Sequence, residues 1–420
     1  MKQFIFVLCA VFMVMSSDLL AQQPRIQYFR PNDRDGVNIF ETPKTDTTGF
    51  SDIKIRIGGA FAIQYQGLDH QNTAGDLVIL TNNFNLPSAD LDFDVQLHDG
   101  VRLHLRVYLS SRHHTETYVK GGYIQMDKLD FIKKDFLESF MKYATIKIGQ
   151  MENNYGDTHF RRTDNAHALF NPFVGNYIMD SFTTEIGAEV YYQRSDWLAM
   201  VGLTNGRLNQ SVTNVTSKGT LMAKLGYDKQ VSDDLRFRLT GSIYTVKGTS
   251  GTYLYDGDRA GSRYFSVMDQ LSGTPNDFSG RVSPGMETNL TSIMINPFVK
   301  FKGLEFFGVF ESATGRDDKK DLLFTGNRSW TQLGAEVLYR IGQQEKLYVG
   351  GRYNSVSGQL PAEETAKVSV DRINVGGGWF MTKNILAKLE YVSQTYNDYT
   401  STQFAGGKFD GVMLEAVISF

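Results

Sequence analysis

The 420-residue chain is poor in cysteine and proline, has no large charge excess of either sign, and holds no long apolar run beyond its N-terminal stretch. Its one cysteine, Cys9, falls within the apolar stretch Phe4–Met15, which follows Lys2 and precedes Leu19-Leu20-Ala21. That pattern predicts a secretory leader over residues 1–21, with the mature chain starting near Gln22. Without the leader no thiol remains, which excludes disulfide frameworks, thiolate nucleophiles and cysteine metal sites. Cys9 also sits inside the apolar stretch rather than just after it, which argues against a lipoprotein anchor. No later segment offers the ~18 uninterrupted apolar residues of a membrane helix. If the chain crosses a membrane, it does so as a closed barrel, the only other structure that satisfies every backbone polar group in hydrocarbon. With 43 basic and 46 acidic residues, a formal net charge of −3, nucleic acid is not an expected partner.

Catalytic signatures are also missing. There is no His-Glu-x-x-His, no Gly-x-Ser-x-Gly and no phosphate-binding glycine loop, so no enzymatic activity, cofactor or metal is expected. His113 and His114 are adjacent in an extended segment and point to opposite faces, which argues against a shared metal. Asp256, Asp258, Asp317 and Asp318 could hold Ca²⁺ but read more simply as solvated loop carboxylates.

What the chain does have is 40 Gly, 21 Tyr, 29 Phe and a persistent period of two. After an aperiodic lead-in over 22–52, Ile53, Ile55, Ile57, Phe61, Ile63 and Tyr65 alternate with Lys54, Arg56, Gly58, Ala60, Ala62 and Gln64. Leu91, Phe93, Val95 and Leu97 then oppose Asp90, Asp92, Asp94 and Gln96. After a tight turn at 98–100, Val101, Leu103, Leu105, Val107 and Leu109 oppose Arg102, His104, Arg106, Tyr108 and Ser110. A wholly apolar face backed by a densely charged one suits a wall between lipid and an aqueous lumen. The same rule places strands near 117–127, 143–151, 183–193, 197–205, 218–228, 235–246, 290–301, 304–313, 329–340, 345–356, 368–380, 384–396 and 408–420. The count is about sixteen, and the connections alternate long and short, as in bacterial outer-membrane barrels. The expected fold is therefore an all-β transmembrane antiparallel up-and-down barrel over 53–420. Three places fit less well. Residues 118–127 alternate poorly. Pro297 inside a strand is expected only at a bulge or near a rim. Residues 128–142 read as an amphipathic helical insert.

The closing stretch Asp410–Phe420 puts Val412, Leu414, Ala416, Ile418 and Phe420 on one face and ends on an aromatic. With an even count it must pair with the strand begun at Ile53, and Glu415 is then expected to face the lumen near Lys54 and Arg56.

Signal, strand pattern, loop asymmetry and terminal Phe together resemble the outer-membrane porins of Bacteroidetes-like Gram-negative bacteria, nearest to the phosphate-selective porin O/P family. The resemblance implies outer-membrane localisation, contact with outer-membrane lipid, a terminal Phe read by the barrel-insertion machinery, and passive diffusion of small hydrophilic solutes, anions among them. A homotrimer is implied on the same ground. In porins the third external loop folds inward, so the loop over 152–182 is expected to narrow the pore with Arg161, Arg162, His159, Asp157 and Asp164. The lumen wall is expected to carry Lys54, Arg56, Arg102, His104, Arg106, Arg236 and Arg238 in basic rows. Asp90, Asp92 and Asp94 form an acidic row between two of them, and Glu415 lies on the closing strand. Register from the 98–100 turn puts Asp92 opposite Arg106 and Asp94 opposite His104. These rows would set a transverse field that screens solutes by charge, or would stiffen the wall by ion pairing. The rival reading is a loop-plugged barrel serving as a structural or docking component of a surface or secretion complex, with the long 247–289 loop as the contact.

Overall fold

The computed structural model describes residues 23–420, except 111–117, 164–166, 208–217, 250, 257–263, 274–279, 323–325, 362–366 and 401–402. The expected leader, with Cys9, therefore lies outside the described residues, as do Asp164, Asp258 and the His113-His114 pair.

Period-two segments separated by turns become strands that can hydrogen-bond only to sequence neighbours, until the last closes on the first. The strands are β1 (Lys54–Gln71), β2 (Asn83–His98), β3 (Val101–Ser110), β4 (Tyr118–Met126), β5 (Ala144–Glu152), β6 (Thr184–Arg194), β7 (Trp197–Thr204), β8 (Thr220–Gln230), β9 (Leu235–Val246), β10 (Asn289–Phe301), β11 (Leu304–Arg316), β12 (Arg328–Ile341), β13 (Leu347–Gln359), β14 (Lys367–Phe380), β15 (Ile385–Asn397) and β16 (Lys408–Ser419). They form one closed antiparallel barrel in which each strand pairs with its sequence neighbours and β1 pairs with β16. The sixteen-stranded class and the closing seam agree with the sequence. The first strand is longer than expected, because β1 runs on to Gln71 and stays in register with β16 as far as Lys408.

The apolar faces point outward. Ile53, Ile55, Leu103, Val201, Leu225, Val349 and Leu414 are exposed on the barrel exterior, while Asp92, Asp94, Arg106, Arg238 and Glu415 on the opposite faces are buried. An exterior of this kind is stable only against lipid.

The irregular places have local causes. On β4, Arg106 pairs with Gly121 but Val107 pairs with Val119, so Lys120 is the extra residue of a bulge. The bulge accounts for the poor alternation and turns the Lys120 side chain into the interior. Pro297 sits in β10 without the expected bulge, since the register with β11 is the same on both sides of it. Gly308 makes this possible, because a Cβ there would lie 2.7 Å from the Pro297 ring, and the neighbouring Asn296 amide donates to the Gly308 carbonyl at 3.1 Å. The expected helix over 128–142 shrinks to α1 (Glu138–Met141). Left-handed conformations at Asp135 (φ 61°) and Leu137 (φ 55°) break the run before it.

One expected neighbourhood is wrong. Glu415 faces the interior, but it pairs with Gln64 rather than lying near Lys54 and Arg56. β16 ends opposite Ala60, so Lys54 and Arg56 extend below the C-terminus and pair only with Gln96 and Asp94 of β2. Glu415 stands opposite Gln64, roughly 30 Å along β1 from Lys54 at the usual ~3.3 Å rise per residue.

Candidate functional site in the barrel interior

Three segments fold into the interior and divide it. The first belongs to the lead-in. Ile26, Gln27, Tyr28 and Phe40 are buried, the Gln27 backbone donates to Gln96 at 2.7 Å, and the Asn38 amide donates to Glu305 across the barrel at 2.7 Å. Gln23 and Asn32 cover the lower end of the seam, reaching the Ile57 carbonyl and the Phe420 and Gly59 carbonyls respectively.

The second segment is the loop after β5, residues 153–183, expected from the sequence as an inward loop. It leaves the β5–β6 side and crosses to the opposite wall. There the Val174 amide donates to Glu390 at 2.8 Å, Ile178 to Asn354 at 2.6 Å and Met179 to Gln332 at 2.9 Å. Arg352 and Lys388 donate back to the Gly175 and Ala168 carbonyls. The third segment is the loop over 247–288. Leu254 accepts from the Phe182 amide and Val282 donates to Ile178, so this loop packs on the second. Tyr255 and Tyr264 donate to Glu311 and Glu390 of the wall at 2.8 and 2.7 Å. Although residues 271–273 are exposed, most of its described residues are buried or half-buried, which does not favour the rival reading of this loop as an external docking arm.

The loop residues expected at a constriction are buried ties. Arg161 reaches Glu305 and Glu336 at 2.6 and 2.5 Å. Burial disfavours its charge, but the two carboxylates outweigh burial and raise its pKa. Arg162 holds Asp180 with two bonds at 2.6 and 2.7 Å and lies over the Phe182 ring. Asp157 accepts from Arg238 at 2.8 Å and meets Lys224 at 2.7 Å. Lys224 and Arg238 also hold Glu41 of the lead-in at 2.8 and 2.7 Å. Burial pushes the Glu41 carboxyl up, yet these two cations hold it well below the usual carboxylate range. His159 lies 2.6 Å from Glu152.

Of the expected wall residues, Arg106 grips Asp92 with two 2.7 Å bonds. Asp94 receives His104 at 2.9 Å and Arg102 at 3.3 Å, so both pairs obey the register the turn predicts. Asp90 is buried opposite Tyr108. Arg236 holds Asp228 at 2.7 Å, Glu415 holds Lys388 at 2.7 Å, Arg56 lies over the Phe29 ring, and Lys54 is half-buried at the lower rim and donates to the Gly49 carbonyl.

Among the openings the segments leave is a cavity of about 170 Å³ along the β2–β6 wall, lined by Phe29–Asn32, Glu41, Asp92, Asp94, Arg102, His104, Arg106, Lys120, Tyr123, Lys147, Glu152, Asn154, His159 and His167, among others. Arg161 and Arg162 do not line it. Every lining carboxylate is engaged: Asp92 by Arg106, Asp94 by His104, Glu152 by His159 and Glu41 by Lys224. Two lining cations have no carboxylate within ion-pairing distance among the described residues. Arg30 donates to the Gly36 and Phe160 carbonyls and stacks 3.8 Å from the Phe170 ring centre; burial lowers its pKa to about 9, partly offset by Glu152. Lys147 has only the Tyr191 and Tyr123 rings, 4.9 and 5.6 Å away. His167 is held neutral, its pKa lowered to about 3 by burial, with Arg106 and Arg30 adding to the effect against Glu152.

Sequence reasoning missed Arg30, Lys120, Lys147 and Glu152. Lys147 stands on the charged side of Thr145-Ile146-Lys147-Ile148, a signal that was available. Lys120 was hidden by the bulge, and Arg30 by the aperiodic lead-in.

A closed sixteen-stranded antiparallel barrel with a lipid-facing exterior and an inward third loop defines an outer-membrane β-barrel of porin architecture. Solved structures bear this out at the level of fold. The anion-selective porin of Comamonas acidovorans aligns with a TM-score of 0.55 at 10% identity over 88% of this chain and 100% of that one. Pseudomonas putida OprB aligns at 0.53 and 10% over 88% and 94%, and the trimer form of OmpT, an outer-membrane protein of Vibrio cholerae, at 0.52 and 9% over 88% and 100%. No family model matches the sequence, and no curated protein does either.

Proposed function

We propose that the protein is an outer-membrane porin through which small hydrophilic solutes diffuse passively along the β2–β6 wall, with a preference for anions. The observation that carries this reading is the cavity in which every lining carboxylate already has an Arg, Lys or His partner, while Arg30 and Lys147 have no carboxylate within ion-pairing distance among the described residues. A small anion there meets uncompensated positive charge in a medium that screens it poorly, whereas a cation meets carboxylates already committed. The loop over 152–182 narrows the lumen by filling its far side; Arg161, Arg162 and Asp157 fix the loop, and His159 and the cavity cations meet the solute. Assembly as a homotrimer belongs to the same reading, supported by the likeness to a barrel solved as a trimer. These two cations do not make the lysine ladder of the phosphate-selective O/P porins, so small anions as a class, rather than phosphate in particular, are the proposed cargo.

The test is planar-bilayer recording in a KCl gradient. Stepwise channels with a reversal potential on the chloride side are expected, and Lys147→Glu should move that potential toward the potassium side. Absence of stepwise channels would end the porin reading. An unchanged reversal potential in Lys147→Glu would end the anion lane.

A further inference from the structure

The connection between β4 and β5 does not lie across the barrel mouth. Its buried residues Leu129 and Met141 pack with Ala144 against Met126, Ile146 and Tyr192, and Phe140 stacks on the Tyr192 ring at 5.9 Å. Ile146 pairs with Val190, and both Val190 and Ile148, the next residue of the outward row on β5, are exposed on the lipid-facing exterior. The connection is therefore folded against the outside of the wall, at the end of the barrel that carries the short turns. Its own outward side is apolar: Phe131, Ile132, Phe136, Leu137 and Phe140 are 48, 59, 38, 52 and 43% exposed. Lys133 and Lys134, both exposed, lie beside this patch, as do the exposed carboxylates Asp135 and Glu138. Clustered large apolar side chains on a turn facing water are unfavourable, and a patch of this kind marks an interaction surface. Here the surface is continuous with the lipid-facing wall, so the surroundings that cover the wall reach it as well.

We infer that residues 128–142 form a lipid-binding element seated in the phospholipid leaflet at the short-turn rim, with Phe131, Ile132, Phe136 and Leu137 among the acyl chains and Lys133 and Lys134 at the phosphate level. The geometry is that of an interfacial segment with a large apolar patch and charged groups, two of them lysines, at its edge. It differs from an ordinary aromatic girdle because these residues come from outside the strands and widen the barrel's footprint on one side. The inference rests on the barrel's placement in a membrane and is independent of the channel reading.

The test uses the full mature chain refolded into phosphatidylcholine–phosphatidylglycerol vesicles, with bimane attached to a Phe136→Cys variant and, as a wall control, to Val201→Cys. In vesicles whose lipids are brominated near the headgroup end of the acyl chain, loss of emission is expected for both labels, and aqueous iodide should leave both bright. Quenching of the Phe136 label by iodide but not by bromolipid overturns the inference and means the segment faces water. Protection from both quenchers also overturns it, because a second copy then covers the patch. If the Val201 label too escapes bromolipid, the membrane placement itself fails and the inference falls with it.

Discussion

His167 is the residue whose burial has the clearest consequence for pH. Its folded pKa, about 3, lies below the ordinary imidazole value of ~6.5. For a base depressed by folding, the undocked state binds more protons between those two values. Loop docking is thus at full strength above about pH 6.5 and weakens as pH falls toward 3, by up to ~1.4 kcal/mol per pH unit. Acidification is therefore expected to loosen the inward loop and increase channel noise in the wild-type protein, with a flatter pH profile in His167→Gln; single-channel recordings from pH 7.5 down to 4.5 check this. Glu41 acts in the same sense but in a lower pH window. Its carboxyl, held low by Arg238 and Lys224 against the cost of burial, supports docking above the ordinary carboxylate range and loses that support only as pH falls through its depressed folded value. The acid sensitivity expected between pH 6.5 and 4.5 is thus assigned to His167.

Among the elements, the seam between β1 and β16 carries the topology, because it alone joins residues from opposite ends of the chain. The paired register runs from Ala60↔Ser419 to Gln71↔Lys408 without a break, and the Phe420 amide closes it on the Gly59 carbonyl at 3.0 Å. Ile63 stands directly opposite Ala416 on the lipid face. A cysteine pair at these two positions is expected to cross-link in the folded protein, while cysteines at Ile63 and Val412, two lipid-facing positions further along, are not; non-reducing electrophoresis of the folded protein distinguishes them. A cross-link in the second pair alone would mean a slipped register. The other elements were legible to different degrees. Strands such as β2 and β3 announce themselves because one face meets lipid and the other charge, so every second residue is constrained. The β4–β5 connection has apolar residues at helix-like spacing, but its two left-handed residues and its packing against the wall are decided by tertiary contacts, and only α1 (Glu138–Met141) is helical.

At the scale of the whole molecule, the interior is a shared space filled by the lead-in, the loop over 153–183 and the loop over 247–288, which touch one another as well as the wall. Glu41 and Asn38 of the lead-in tie it to Lys224, Arg238 and Glu305. Removing residues 23–42 while keeping the barrel is expected to raise single-channel conductance severalfold and to weaken the anion preference, because Arg30 goes with the plug. Conductance unchanged by the deletion would mean that the lead-in does not obstruct the solute's route. The sequence by itself determined the wall: strand count, closure, inward and outward faces and the Asp92–Arg106 register all follow from a period of two and from tight turns, which are local. Only the tertiary structure decided how the interior is used. Whether a charged residue faces open lumen, as Lys147 does, or is spent holding a loop, as Arg161 is, depends on which carboxylates from distant strands meet it. Glu305 and Glu336 lie 144 and 175 residues from Arg161 along the chain, a separation across which local pattern carries no information.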